Sequence, residues 1–194
     1  MNNEPRSQES NTIEVAPGIF LPERVAPFWP ILRQSEMAFI HIDAIPASDV
    51  PVTSSKFGGR PYIPFGHSNP TGNKGDLMML LAQLNFGEMS NLNSYPNTGL
   101  LQFFVDASDE QYGLDFDDQT AQESFKIIYH EDVSSDKADL STPYWTYDML
   151  LPDAYPPITA EHRLSFRLES ECVGPNDSRF KQFFGKDFYN LSRS

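Results

Sequence analysis

Five runs of strand length, separated by segments rich in glycine and proline, limit what this chain can fold into. Leu77 to Phe86 is continuously apolar apart from Gln83 and Asn85 and is closed by Gly87, the pattern of a strand buried on both faces. Leu100 to Asp106 follows the turn residues Pro96-Asn97-Thr98-Gly99 and reads as its sheet neighbour. Met37 to Ile45 and Phe125 to His130 are further strands. So is His162 to Cys172, in which Leu164, Phe166 and Leu168 are expected to face one side and Arg163, Ser165, Arg167 and Glu169 the other. Pro22, Pro27 and Pro30 exclude one long helix near the start, leaving room for a short helix with Pro27 or Pro30 in its first turn. The expected fold is mainly β, a β-rich α+β arrangement with short helices.

The two ends read differently. Residues 1–16 are polar and aperiodic and are expected to form a mobile tail before a single domain over 17–194. Near the other end Phe180, Phe183, Phe184, Phe188 and Leu191 fall at helical spacing, with Gly185 inside the run, as in an amphipathic helix docked on the protein's own sheet.

At 194 residues the chain can bury roughly 70% of its unfolded surface, so it needs no disulfide or metal to fold. Its one cysteine, Cys172, suits a reducing compartment and reads as a small buried thiol. The polar start Met1-Asn2-Asn3-Glu4-Pro5-Arg6 lacks a secretory h-region, and no run of about 18 apolar residues occurs. A cytoplasmic setting is expected. The net charge of −13 argues against nucleic-acid or anionic-membrane partners. Residues 101–153 hold thirteen acidic residues against Lys126 and Lys137, a net of −11, so one segment carries nearly all the excess.

No catalytic motif is present. His41, His67, His130 and His162 are far apart and form neither H-x-H nor H-E-x-x-H spacing, and no G-x-S-x-G elbow occurs. Residues 66–74 imitate a phosphate loop but lack its spacing and its Gly-Lys-Ser/Thr. Thr53 to Gly75, with five glycines and three prolines, is unusually long for a loop in a compact domain. Its Gly58-Gly59 pair is read as a bend needing positive φ or close backbone approach.

Asp106, Asp109, Glu110, Asp115, Asp117 and Asp118 admit three readings: a solvated face, a divalent-cation site, or an electrostatic surface for a basic protein. The register of an EF-hand is absent.

Several segments in one order carry a resemblance. They are Ser55-Lys56-Phe57-Gly58-Gly59-Arg60-Pro61-Tyr62-Ile63-Pro64, Leu80-Leu81-Ala82-Gln83-Leu84-Asn85 and Gly99-Leu100-Leu101-Gln102-Phe103-Phe104. Tyr112-Gly113-Leu114-Asp115-Phe116-Asp117-Asp118 and Ile128-Tyr129-His130-Glu131-Asp132-Val133 follow. Over roughly residues 37–189 the chain resembles the YwqG-like family of bacterial proteins, a domain of unknown function. The resemblance implies a mainly β, roll-like fold and brings no activity, cofactor or catalytic residue. Relatives encoded near polymorphic toxin systems suggest a protective or accessory role by association. Family members usually continue into a second half that repeats the theme. Against that pattern the chain is a natural short form or a fragment, and an uncovered sheet edge or helix would lead to self-association.

The signature residues Lys56, Phe57, Gly58, Gly59, Pro61 and Tyr62 are read as a bend that inserts Phe57 and Tyr62 into the core. Gln83, Asn85 and Gln102 are expected to bond loop backbone that has no ladder partner. The leading functional expectation is a non-catalytic interaction or toxin-immunity protein that binds a basic partner, with no metal or cofactor. The rival is a ligand- or metal-binding domain, or a hydrolase-like enzyme, with a site at Asp115, Asp117, Asp118 and His130.

Overall fold

The structure is a computed structural model, and it describes residues 11–90, 95–109, 111–150, 156–174 and 176–185. It has two sheets. Strands β1 (Thr12–Ala16) and β2 (Ile19–Pro22) form an antiparallel hairpin. The other sheet contains β3 (Met37–Pro46), β4 (Lys56–Phe57), β5 (Met79–Asn85), β6 (Leu100–Val105), β7 (Phe125–His130) and β8 (His162–Glu171), in the order β3-β8-β4-β5-β6-β7. The fold is mainly β.

Four of the five strands expected from sequence lie within one residue of their expected bounds; the fifth, expected over Leu77 to Phe86, begins two residues later at Met79 and ends at Asn85. Two readings are corrected. The supposed tail ends in β1, whose register with β2 (Thr12 opposite Pro22, Ile13 opposite Leu21) makes residues 12–16 ordered backbone. The alternation of β8 fades toward its end: Leu164 is buried and Phe166 half-buried, but Leu168 is 51% exposed.

The chain divides into two compact units. In the unit of Met1–Phe39 and Glu169–Ser194, the helices α1 (Trp29–Gln34) and α2 (Phe180–Phe184) share a cluster of Phe28, Leu32, Val173, Phe180 and Phe184. Pro30 occupies the first turn of α1, where no amide donor is needed. The phenylalanine-rich helix, expected to dock on the sheet, packs instead on α1, and Phe180 stacks on Phe184 at 4.6 Å. It stops at Gly185, where φ is 60°; Phe188 and Leu191 lie outside the described residues. Cys172 falls just past β8, and burial together with the charge of Glu36 pushes its thiol pKa up.

In the unit Ile40–Leu168, both faces of β5 are covered, which explains its unbroken apolar pattern. One cluster contains Met79, Val105, Ala107 and Trp145; a second contains Met78, Leu80 and Phe104. A third joins Tyr62, Leu100 and Ala138 beside β6. A bulge between Leu80 and Ala82 sets the β5–β6 register, so that Gln83 lies opposite Gln102.

Candidate functional site

The two-residue strand β4 places Lys56 opposite Gln83 on one side and Arg163 on the other. The Lys56 side chain is fully buried. Its Nζ donates to the carbonyls of Val50 and Arg60, each at 3.0 Å, and stands 3.7 Å from Glu161 Oε1. Burial pulls the Lys56 pKa down to about 8, against the opposing pull of Glu161. Gly58 and Gly59 follow with φ of 64° and 72°. A Cβ on Gly58 would lie 2.7 Å from the Tyr147 hydroxyl, and one on Gly59 would lie 2.2 Å from Glu161 Oε1. The glycine pair therefore serves both expected needs, a left-handed bend and bare backbone on which two side chains rest.

Next to the bend, side-chain amides replace a missing strand. Gln83 Oε1 accepts from the Tyr62 amide at 2.9 Å, and Gln83 Nε2 donates to the carbonyls of Val52 and Ser54. Gln102 Nε2 donates to the Tyr62 carbonyl and to Gln83 Oε1. Asn85 donates to the Thr53 carbonyl and accepts from the Gly87 amide. Because Gln102 Nε2 is a donor twice, its Oε1 faces His130 Nε2 at 2.9 Å and requires the proton on that nitrogen. Burial and the neighbouring His67 hold the His130 pKa below its ordinary value. His130 also meets the Tyr62 ring edge-on at 5.3 Å. Among the signature residues, Pro61 and Tyr62 are buried and Phe57 is half-buried.

The acidic segment is less uniform than its charge suggests. Asp106 is buried, lies against Gly72 and accepts from the amide and hydroxyl of Ser108, so it does not belong to an acidic surface. Asp109 accepts from the amides of Gln111 and Gly113, Asp115 from those of Asp117 and Asp118, and Asp118 from the amide and hydroxyl of Thr120. Burial raises the Asp109 pKa, but these hydrogen bonds, one from Ser124 and the charge of Lys74 outweigh it and hold it low. Bonds from Thr120 do the same for Asp118. Between these carboxylates Phe116 is 75% exposed and Leu114 is 49% exposed, beside a hollow of about 290 Å³. Glu110 lies outside the described residues.

Among the described residues, no group of three or more His, Cys, Asp or Glu side chains could hold a metal ion, so Asp115, Asp117, Asp118 and His130 are not drawn together as ligands. His130 is instead committed to Gln102. No described helix is long and apolar enough to cross a membrane.

Two further clefts meet at Trp145. One of about 380 Å³ is lined by Asp106, Ser108 and Trp145. The other, of about 490 Å³, lies over the glycine bend and is lined by Asp49, Arg60, Tyr144, Trp145, Tyr147 and Glu161. The Arg60 guanidinium lies 4.5 Å from the centre of the Tyr144 ring and donates to the Leu140 carbonyl. Sequence reasoning missed Trp145, in irregular chain, Tyr147, at the start of a single 3-10 turn, and Glu161, just before β8; only Gly58-Gly59 hinted that something must lie on that backbone.

Residues 55–194 match a family model described as Domain of unknown function (DUF1963), which begins at the signature segment and includes the bend, the amide network and the acidic segment. No curated protein matches the chain.

Proposed function

We propose that this chain, which belongs to the DUF1963 family, is a non-catalytic interaction protein that docks a basic partner on the segment 109–124. The observation that carries this reading is the exposed Phe116, set with Leu114 among carboxylates whose positions backbone amides fix. An exposed aromatic side chain supplies apolar contact area, and fixed negative charge around it steers and orients a positive partner. The groups that could do chemistry are occupied elsewhere: Lys56 by two carbonyls and Glu161, and His130 by Gln102.

Within the family we place the chain with the YwqG-like members, on the segments 55–64, 80–85 and 99–104. A role as an immunity or accessory factor of a bacterial toxin system in a reducing cytoplasm belongs to the same proposal. Affinity capture from the native host at low and at high salt tests it. A basic protein recovered at low salt and released at high salt is expected. Recovery of no protein, or of one indifferent to salt, contradicts it.

A further inference from the structure

The six-stranded sheet ends at β7, and part of that edge is open. Among the described residues no strand pairs with β7 on the side away from β6. In an antiparallel ladder, residues whose amides meet the neighbour alternate with residues whose amides point away. The Ser124 carbonyl accepts from the Asp106 amide just before β7, so the even-numbered residues turn their backbone groups to β6. Ile127 turns its own outward, and its amide donates to Gln122 Oε1 at 3.0 Å. Tyr129, two residues further on, turns its N–H and carbonyl outward in the same way. Gln122 caps the edge at Ile127, and no described side chain caps it at Tyr129. Ile127 and Tyr129 share one face and are 48% and 45% exposed. The Tyr129 ring is fixed there by the bond from its hydroxyl to the Thr98 carbonyl and by the bare backbone of Gly99 against it. Unpaired edge groups beside exposed apolar side chains are a template for one more strand.

We propose that an extended basic segment of the partner adds to β7 as a further strand, bonding the Ile127 carbonyl and both backbone groups of Tyr129; this rests on the basic partner inferred above for residues 109–124. Charge selects the occupant. Residues 109–132 hold eight acidic residues against Lys126 alone, with Glu123 ahead of the strand and Glu131 and Asp132 directly after it. Gly113 of the acidic segment packs against Phe125, where a Cβ would lie 3.0 Å from the Phe125 Cβ, so that segment abuts the head of the strand. In the segment that fits, apolar side chains at alternate positions pack on Ile127 and Tyr129, and lysine or arginine between and beyond them answers the flanking carboxylates. A second copy of this chain would bring its own net charge of −13 to the same carboxylates, and an acidic segment would be repelled likewise.

The test is amide hydrogen exchange of the full chain, followed by NMR at low salt, with synthetic peptides as probes. A peptide of alternating lysine and valine is expected to slow exchange at Tyr129 about tenfold or more and to leave Ile128, which already faces β6, unchanged. The same peptide N-methylated at its central residues keeps its charge and side chains but loses its edge donors, and no slowing is expected from it. A peptide of alternating glutamate and valine is expected not to bind. Equal binding of the methylated peptide, with no slowing at Tyr129, overturns strand addition while leaving a charge-guided partner in place. No binding of the lysine–valine peptide at millimolar concentration, or equal binding of the glutamate–valine peptide, also overturns it, docking on residues 109–124 being read separately by capture from the host. Slowing at Tyr129 that grows with protein concentration in the absence of peptide assigns the edge to a second copy and overturns the proposal as well.

Discussion

Gln102 donates from its Nε2 to Oε1 of Gln83 at 2.9 Å, across two neighbouring strands and wholly inside the protein. The pair holds Tyr62 from both sides, since the Tyr62 amide bonds Gln83 and its carbonyl bonds Gln102. A segment without a ladder partner is thereby attached to the sheet by two buried amides, with all four hydrogen-bonding positions of Gln83 and three of those of Gln102 used.

That arrangement predicts large, coupled losses of stability. Gln83→Leu leaves the Tyr62 amide and the carbonyls of Val52 and Ser54 without their bonds and should cost about 3 kcal/mol. Gln102→Leu should cost about 2 kcal/mol, and the double substitution less than the sum. Urea unfolding of the three variants checks this.

Lys56 predicts a pH dependence of definite sign. Its folded pKa is about 8, against 10.5 as its ordinary value. Between the two the unfolded chain keeps a proton that the folded chain has released, so stability rises with pH across that window and is lowest below it. The rise should be about 3 kcal/mol in total. Lys56→Met should abolish the rise and, at neutral pH, destabilise by about 3 kcal/mol by stranding Glu161 and two carbonyls. Adding Glu161→Gln should recover part of that loss. Denaturant unfolding from pH 7 to 10.5 measures both effects.

The glycine bend separates strain from crowding. Gly66 has φ of 80° with open space around its missing Cβ, so Gly66→Ala should cost about 1 kcal/mol from backbone strain alone. Gly59→Ala, whose Cβ would strike Glu161, should cost about 3 kcal/mol. Equal melting temperatures for the two variants would contradict this.

The carboxylates of the acidic segment should titrate low. Asp109 and Asp118 lie below the ordinary value of 3.8 because amides and hydroxyls stabilise their charged forms. Their contribution to loop order is complete above that value and is lost as the pH falls through the lowered pKa. Carboxyl-carbon NMR titration should place both midpoints below 3.8, and Asp118 should return toward it in Thr120→Val, which removes the hydroxyl donor but keeps the amide.

Local pattern accounts for what was legible in the sequence. Apolar runs with turn residues at their ends located β3, β5, β6, β7 and β8, because period and punctuation are short-range signals. The two-residue β4 carries no period, and its place between β8 and β5 depends on Lys56 finding acceptors at Val50, Arg60 and Glu161. The amide roles of Gln83 and Gln102 were legible because polar residues in an apolar strand must find partners. The burial of Asp106 was not, since a run of acids gives no sign of which one turns inward. Trp145, Tyr147 and Glu161 are brought to one cleft only by tertiary folding.

Site-specific photocrosslinking tests the interaction surface most directly. A photoreactive phenylalanine analogue placed at position 116 in host cells should give an adduct with one basic protein that high salt abolishes, while the same analogue at the exposed position 168 gives none. Absence of an adduct at 116, or equal yields at both positions, would contradict a partner docked on Phe116.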